Sequence, residues 1–272
     1  MRIEPTNKIF ESEAFLRDAN RFYIIKMNFS SPDLLLYSDE ETYVICRGRV
    51  GFPTWVWTTE DICEEKMEEI AQIIADEYFG PERNQVTSKP RFYQYLLDNN
   101  YPYLDPKDYF EMGTLECHSL KEIQKCDGRM EPARPEDLDT LVNYIYLDAQ
   151  EMEGVDNISM ERATEKAKEK IASGTYFVWR DTDDKIVSMA DYGIIGGQAK
   201  LGTVFTTKEA RCKGYATNLI HTMTQDLLEK GLSPLLYTDY NYPASNTAYK
   251  NAGYEDTGVL INFGCYKKEA SL

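Results

Sequence analysis

Arg211, Lys213, Gly214 and Ala216 lie within the six residues R-C-K-G-Y-A, between a β-rich run and an apolar-periodic helix. Two cations and a glycine at the head of a helix make a combination suited to an anion. The first turn exposes N–H groups that have no intrahelical acceptor, and the helix dipole is positive at that end. Arg211 and Lys213 add charge. Gly214 removes a side chain where a bulky phosphate would touch the backbone, and Ala216 keeps the next approach small. The dinucleotide pattern G-x-G-x-x-G is absent and no G-K-[ST] follows, so neither a dinucleotide fingerprint nor a P-loop is present. What remains is a phosphate-bearing cofactor laid along a strand and capped by a helix start. The competing reading is a surface turn with two exposed basic residues.

The elements that would position this turn can be read from periodicity. Residues 135–150 (PEDLDTLVNYIYLDAQ) open with proline and acidic start signals and carry Leu138, Leu141, Val142 and Ile145 at helical spacing. A charged helix fits Ser159 to Ser173. The runs 175–181 and 185–196, joined by T-D-D, read as a hairpin. A third strand spans 198–206. The helix beginning near Arg211 keeps Ala216, Leu219, Ile220, Met223 and Leu227 on one face and stops at Gly231. A short strand (234–240), a short helix (245–253) and either a final strand pair or one bent strand follow. The order predicts a mixed α/β fold in which the strand at 198–206 and the strand at 234–240 run parallel across a helical crossover.

The first half echoes this pattern. Val56-Trp57-Thr58-Thr59 stands where the second half has Val204-Phe205-Thr206-Thr207, and Met67, Ile70, Ala71, Ile74 and Tyr78 repeat the spacing of the later helical face. A strand at 84–88 and a helix at 91–101 ending at Asn100 complete the parallel. The chain therefore reads as a diverged internal repeat. A boundary near 125–135, rich in Gly, Pro and charge, gives two domains, 1–126 and 127–272.

Composition narrows the function. The 272 residues are 42% hydrophobic and 28% charged, and no apolar run approaches the ~20 residues of a membrane span. Neither membrane insertion nor export is expected, since residues 1–15 hold no apolar signal core. Cys46, Cys63, Cys117, Cys126, Cys212 and Cys265 are scattered, with no C-x-x-C and only two histidines, so no metal site is expected and the thiols suit a reducing cytoplasm. A net charge of −16 opposes nucleic acid and anionic lipid and favours a neutral or cationic partner.

Arg211-Cys212-Lys213-Gly214-Tyr215-Ala216 resembles the [RQ]-x-x-G-x-[GA] pattern of the GNAT superfamily of N-acetyltransferases. Ser245, Tyr249, Gly253 and Tyr254 match its second pattern, N-x-x-S-x-x-x-Y-x-x-x-G-[FY]. The resemblance covers roughly 130–272. It departs twice: Cys212 replaces the usual glycine after the arginine, and the asparagine is displaced by one residue to Asn241, leaving Asn246 as a substitute.

The resemblance implies acetyl-CoA or another short acyl-CoA as co-substrate. Its pantetheine would lie on the backbone of Val204, Phe205 and Thr206, and its pyrophosphate on the N–H groups of Cys212, Lys213, Gly214, Tyr215, Ala216 and Thr217. A backbone N–H near Thr206 would stabilise the oxyanion. A primary amine, either a small molecule or a lysine side chain, would attack directly, and Tyr249 would protonate the leaving thiolate. Glu151, Glu153, Asp156 and Asp191 are open as base or amine-attracting groups, and none is assigned. His221 falls off the apolar helix face and is expected to be exposed.

In the first half the turn reads Glu60-Asp61-Ile62-Cys63-Glu64-Glu65-Lys66, and Leu96 replaces Tyr249. Carboxylates there oppose phosphate. That half is expected to be a degenerate copy that packs against the active one, shapes the acceptor cleft, or joins two chains as a homodimer. Two alternatives to the enzyme stand: a non-catalytic acyl-CoA-binding or sensing module, and an unrelated α/β protein with a chance turn.

Overall fold

The computed structural model describes residues 1–78, 84–99, 104–153 and 158–267. Two short helices come first, α1 (Glu13–Arg17), capped by the Ser12 hydroxyl, and α2 (Tyr23–Met27). Then come β1 (Leu35–Ser38), β2 (Tyr43–Arg47), β3 (Thr54–Thr58), α3 (Glu64–Ile73), β4 (Asn84–Ser88), α4 (Pro90–Asp98) and β5 (Leu104–Glu116). A π-helical turn, Ile74–Tyr78, extends α3. The chain continues with β6 (Arg129–Pro132), α5 (Leu138–Glu153), α6 (Met160–Ser173), β7 (Tyr176–Arg180), β8 (Ile186–Ile195) and β9 (Gln198–Thr206). It ends with α7 (Tyr215–Glu229), β10 (Ser233–Asp239), α8 (Pro243–Ala252) and β11 (Glu255–Lys267). The last apolar run is thus one strand. The segment read as a boundary, 125–135, contains β6, which pairs antiparallel with β7 through Arg129↔Arg180 to Pro132↔Phe177. The predicted helix end Asn100 lies outside the described residues.

Two compact units divide the chain. The first takes Met1–Thr114, Thr238–Asn241 and Thr257–Leu272, and the second takes Leu115–Tyr237 and Tyr242–Asp256. The last segment joins the first unit because β11 pairs with β4, from Ile261↔Ser88 to Cys265↔Asn84. Ile261, Phe263 and Cys265 are buried there with Tyr43, Val56 and Phe92. β1, β2 and β3 pair antiparallel in turn, while β3 and β4 run parallel.

In the second unit β7, β8 and β9 form an antiparallel meander, and β9 runs parallel to β10 as the crossover helix predicts. Period-two alternation gives this sheet two buried faces. Ala190, Leu201 and Leu236 face Leu219, Met223 and Leu227 of α7. Tyr176, Val178, Met189 and Phe205 pack with Leu141, Ile145, Ala163 and Ala167 of α5 and α6. Beneath the start of α5, Arg180 holds both carboxylate oxygens of Asp137, at 2.7 and 2.8 Å, and both side chains are buried.

Two irregularities open β9. Its ladder with β8 passes from Ala190↔Val204 to Tyr192↔Leu201, so Gly202 and Thr203 together oppose Asp191. Such a bulge bends and twists the strand that carries it. The parallel ladder with β10 stops at Leu235↔Lys200, although β9 continues to Thr206 and β10 to Asp239. The matching pair in the first unit behaves differently: β3 and β4 stay paired up to Ser88, the last residue of β4.

Candidate functional site

Beyond Lys200, then, the edge of β9 that faces β10 is no longer laddered to it, and Val204, Phe205 and Thr206 lie on this stretch. Their opposite edge is fixed by β8 through Met189↔Phe205 and Ser188↔Thr206. Two carbonyls near the strand end are already engaged: Phe205 O accepts from the Ser188 hydroxyl at 2.9 Å, and Thr206 O accepts from Arg211 Nε at 3.1 Å.

After β9 the chain makes a short 3-10 turn, Lys208–Ala210, and reaches the basic loop. α7 begins at Tyr215, four residues later than periodicity predicts, because Cys212 and Gly214 both take left-handed conformations with φ of 61° and 85°. Gly214 adopts this shape at no steric cost, whereas an L residue such as Cys212 pays for it. No side chain caps α7 and its first turn carries no acid. Its orphan N–H groups and positive dipole end therefore meet the exposed loop Cys212–Gly214. Ala216 and Thr217 are half-buried on the first turn.

The charge of the loop is partly committed. Arg211 donates to Glu151 Oε2 at 2.5 Å and lies over the Phe205 ring at 6.0 Å, and Lys208 reaches Glu151 Oε1 at 3.7 Å. Glu151 belongs to the last turn of α5, just past the helical segment 135–150 read from periodicity. The Glu153 side chain and Asp156 lie outside the described residues. Lys213 stays exposed.

A strap formed by residues 117–127 flanks the same turn, and no sequence signal announces it. Asn218 donates from Nδ2 to Gln124 O (3.1 Å) and Gly214 O (3.0 Å), and its Oδ1 accepts from Cys126 N at 3.4 Å. Tyr215 donates its phenol proton to Asp127 at 2.9 Å, a bond that pushes the phenol up to about 12. His221 is half-buried and its Nε2 lies 3.0 Å from Lys121 O, so the expected exposure is not seen. Between strap and helices is a cleft of about 360 Å³ lined by Lys121, Gly214, Thr217, Asn218, Lys250 and Asn251.

α8 ends at Gly253, whose φ of 119° and tight approach to the strap exclude a side chain: a Cβ there would meet Ser119 O at 2.5 Å. One turn earlier Tyr249 is buried, 6.2 Å from the Tyr254 ring. Burial first, and the charge of Asp148 second, raise its phenol above the usual tyrosine value, so it stays protonated at neutral pH. Asn246 is half-buried at the start of α8, with its N–H 3.4 Å from Tyr242 O. Asn241, the displaced asparagine, is exposed and clusters with the first unit, and its N–H bonds Asp239 at 2.9 Å. The second unit thus brings together β9, the turn, α7 and Tyr249, while Asn241 is grouped elsewhere. No group of three or more His, Cys, Asp or Glu able to hold a metal occurs among the described residues. No helix among them is long and apolar enough to cross a membrane.

Residues 142–254 match the acetyltransferase (GNAT) family. The whole chain is similar to a GCN5-related N-acetyltransferase from Sphaerobacter thermophilus (TM-score 0.66, 13% identity, covering 100% of this chain and 96% of that one). It is also similar to a GNAT-family acetyltransferase from Colwellia psychrerythraea (0.62, 15%, 97% and 98%). A third likeness is to a GCN5-related N-acetyltransferase from Kribbella flavida (0.59, 15%, 93% and 97%). No curated protein sequence matches the chain. At such identities the structural likeness speaks for the fold, and it extends over both halves. The chain thus has the mixed α/β GNAT fold from end to end and carries a GNAT acetyltransferase domain at residues 142–254.

Proposed function

We propose that the protein transfers an acetyl group from acetyl-CoA to a primary amine by direct attack. The observation that carries this reading is the parting of β9 from β10 beyond Lys200, in line with an uncapped helix start at a left-handed glycine. The open strand edge suits the amide groups of a pantetheine arm, and the turn suits a pyrophosphate. Val204, Phe205 and Thr206 would hold the arm. Arg211 through Thr217 would hold the phosphates, with Asn246 nearby on α8. Acetyl-CoA supplies an activated acyl thioester. Tyr249 would give its proton to the departing sulfur.

The first half, 1–126 by sequence, is proposed to be a degenerate copy. Its strand pair does not part, α3 starts with Glu64 and Glu65 in the first turn, and buried Leu96 stands for Tyr249. Lys89, which precedes α4, binds Glu60 at 2.7 Å and Asp18 at 2.6 Å and so neutralises carboxylates of that half internally.

Titration calorimetry with acetyl-CoA, with ATP and NAD as controls, tests the co-substrate. Selective binding that Gly214→Glu abolishes supports it, and absence of binding refutes it. Release of free thiol with a panel of primary amines then tests the transfer. A second reading, an acyl-CoA sensor without turnover, is favoured by the strained Cys212 and the Glu151 hold on Arg211; it requires binding with no thiol release from any amine.

A further inference from the structure

Lys200 occupies the apex of the opening in β9: it is the final residue of that strand to pair with β10. Its side chain is half-buried, with Nζ 5.4 Å over the Tyr237 ring and 3.5 Å from the Leu201 carbonyl. Among the described residues no carboxylate forms an ion pair with it. The nearby acid, Asp191 of β8, is spoken for: its Oδ2 is held by Lys170 of α6. Its Oδ1 is buried and accepts no hydrogen bond, packed where a Cβ on Gly202 would collide with it. Gly202 is one of the two bulge residues, so the same irregularity that opens β9 makes room for this carboxylate.

We infer that the Lys200 amine is the base that takes the proton from the acceptor ammonium, an inference that rests on the acetyl-transfer reading above. Asp191 is the weaker candidate, since one oxygen is bound and the other is buried beneath the β9 backbone. The groups that set the charge of Lys200 come from every side. Burial favours the neutral amine, Asp191 opposes this, and Lys170 reinforces it, so Lys200 loses its proton more readily than an ordinary lysine. Tyr176 of β7, beneath Lys170 at 5.3 Å, is kept neutral by burial and by the charges of Asp191 and Asp148 of α5, and Tyr237 of β10 adds an aromatic face. A desolvated lysine is a known route to a general base near neutral pH.

The protons balance as follows. Neutral Lys200 removes one proton from the ammonium, and the freed lone pair forms the C–N bond as the C–S bond breaks. Tyr249 gives its proton to sulfur, and the N–H proton lost on amide formation returns to the phenolate through water. Lys200 then passes the first proton to solvent, so one acylated amine, one free thiol and one proton are produced per turnover.

Two measurements on the full chain test the inference. Competitive labelling with succinic anhydride from about pH 6 to about pH 11, read by mass spectrometry of the Lys200 peptide, reports its titration without any catalysis. Lys200 is expected to titrate below the exposed Lys185 and Lys208 of the same sample. Lys200→Met and Lys200→Arg, the second keeping charge and length, are expected to lower kcat/KM for the amine by about 100-fold. Both should leave acetyl-CoA affinity within about twofold and move the acid limb of the pH profile to the amine's own pKa. Lys200 titrating together with Lys185, or an unaltered rate and acid limb in Lys200→Arg, overturns the assignment. A wild-type protein that acetylates no amine while Lys200 still titrates low defeats the transfer reading and the base assignment with it; transfer that survives Lys200→Arg defeats the base assignment alone.

Discussion

The carboxylate of Glu151, at the end of α5, accepts a 2.5 Å hydrogen bond from the Arg211 guanidinium in the basic turn that leads into α7. The arginine that would meet a pyrophosphate is therefore already paired, with both side chains about one-third exposed. A pair so open to water is worth no more than about 1 kcal/mol. Glu151→Gln is expected to release Arg211 and tighten acetyl-CoA binding by up to about fivefold at low salt, less at high salt. Calorimetry at two ionic strengths checks this, and weaker binding in the variant would mean that Glu151 instead orients Arg211 for the phosphate.

Cys212 and Gly214 share a left-handed backbone but differ in what it costs. Cys212→Gly is expected to raise stability by about 0.5–1 kcal/mol, since the strain of an L residue at φ 61° outweighs the added freedom of the unfolded chain. Gly214→Ala should lower it by about 1–2 kcal/mol. Crowding plays no part in that loss, because a Cβ at Gly214 would find its nearest neighbour, Asn218 Nδ2, at 3.5 Å. Urea denaturation of both variants tests the pair of signs.

Tyr249→Phe is expected to reduce kcat by at least about tenfold and to leave acetyl-CoA affinity nearly unchanged, as fits a group that acts on the leaving sulfur. Burial raises the phenol, so it holds its proton through the neutral range and a basic limb below about pH 10 should not belong to it. Steady-state rates against pH for both proteins test this. An unchanged kcat removes Tyr249 from the chemistry.

Lys200 also predicts how stability depends on pH. Its folded-state pKa is lowered, so between that value and the unfolded value of about 10.4 the unfolded chain binds more protons. The cost of burying its charge is fully present below the folded pKa and disappears as pH rises toward the unfolded one. Wild type should therefore gain stability relative to Lys200→Met on going from neutral to alkaline pH, measured by denaturant unfolding at each pH.

Phe263 lies near the end of the chain yet is fully buried in the first unit, against Tyr93 at 4.9 Å. Phe263→Ala is expected to cost about 3–5 kcal/mol. The emission of Trp55 and Trp57, both in that unit, follows its unfolding. Loss of less than about 1 kcal/mol would mean that β11 contributes little to the first unit's core.

Much of the second unit is readable from local chemistry. The hairpin at 175–196, the strand at 198–206, the Ser159 cap of α6 and the Gly253 stop of α8 rest on period, turn residues and caps, which act over a few positions. The GNAT resemblance in 211–216 and 245–254 falls inside the matched region 142–254 for the same reason. The start of α7 slips by four residues because a left-handed Cys212 cannot be foreseen from a residue type that rarely adopts that shape.

The sequence by itself determined the order of elements from α5 to α8, the parallel crossover after 198–206 and the glycine at the head of α7, because each follows from spacing along a continuous stretch of chain. Only the tertiary structure decided which distant segments meet. Glu151 reaches Arg211 across 60 positions, and β11 completes the first unit by pairing with β4. Asp191 settles over Gly202 where the bulge makes room, and β9 leaves β10 just after Lys200. These contacts depend on strand register and on buried charge, which are fixed by packing between elements and leave no periodic mark in the sequence.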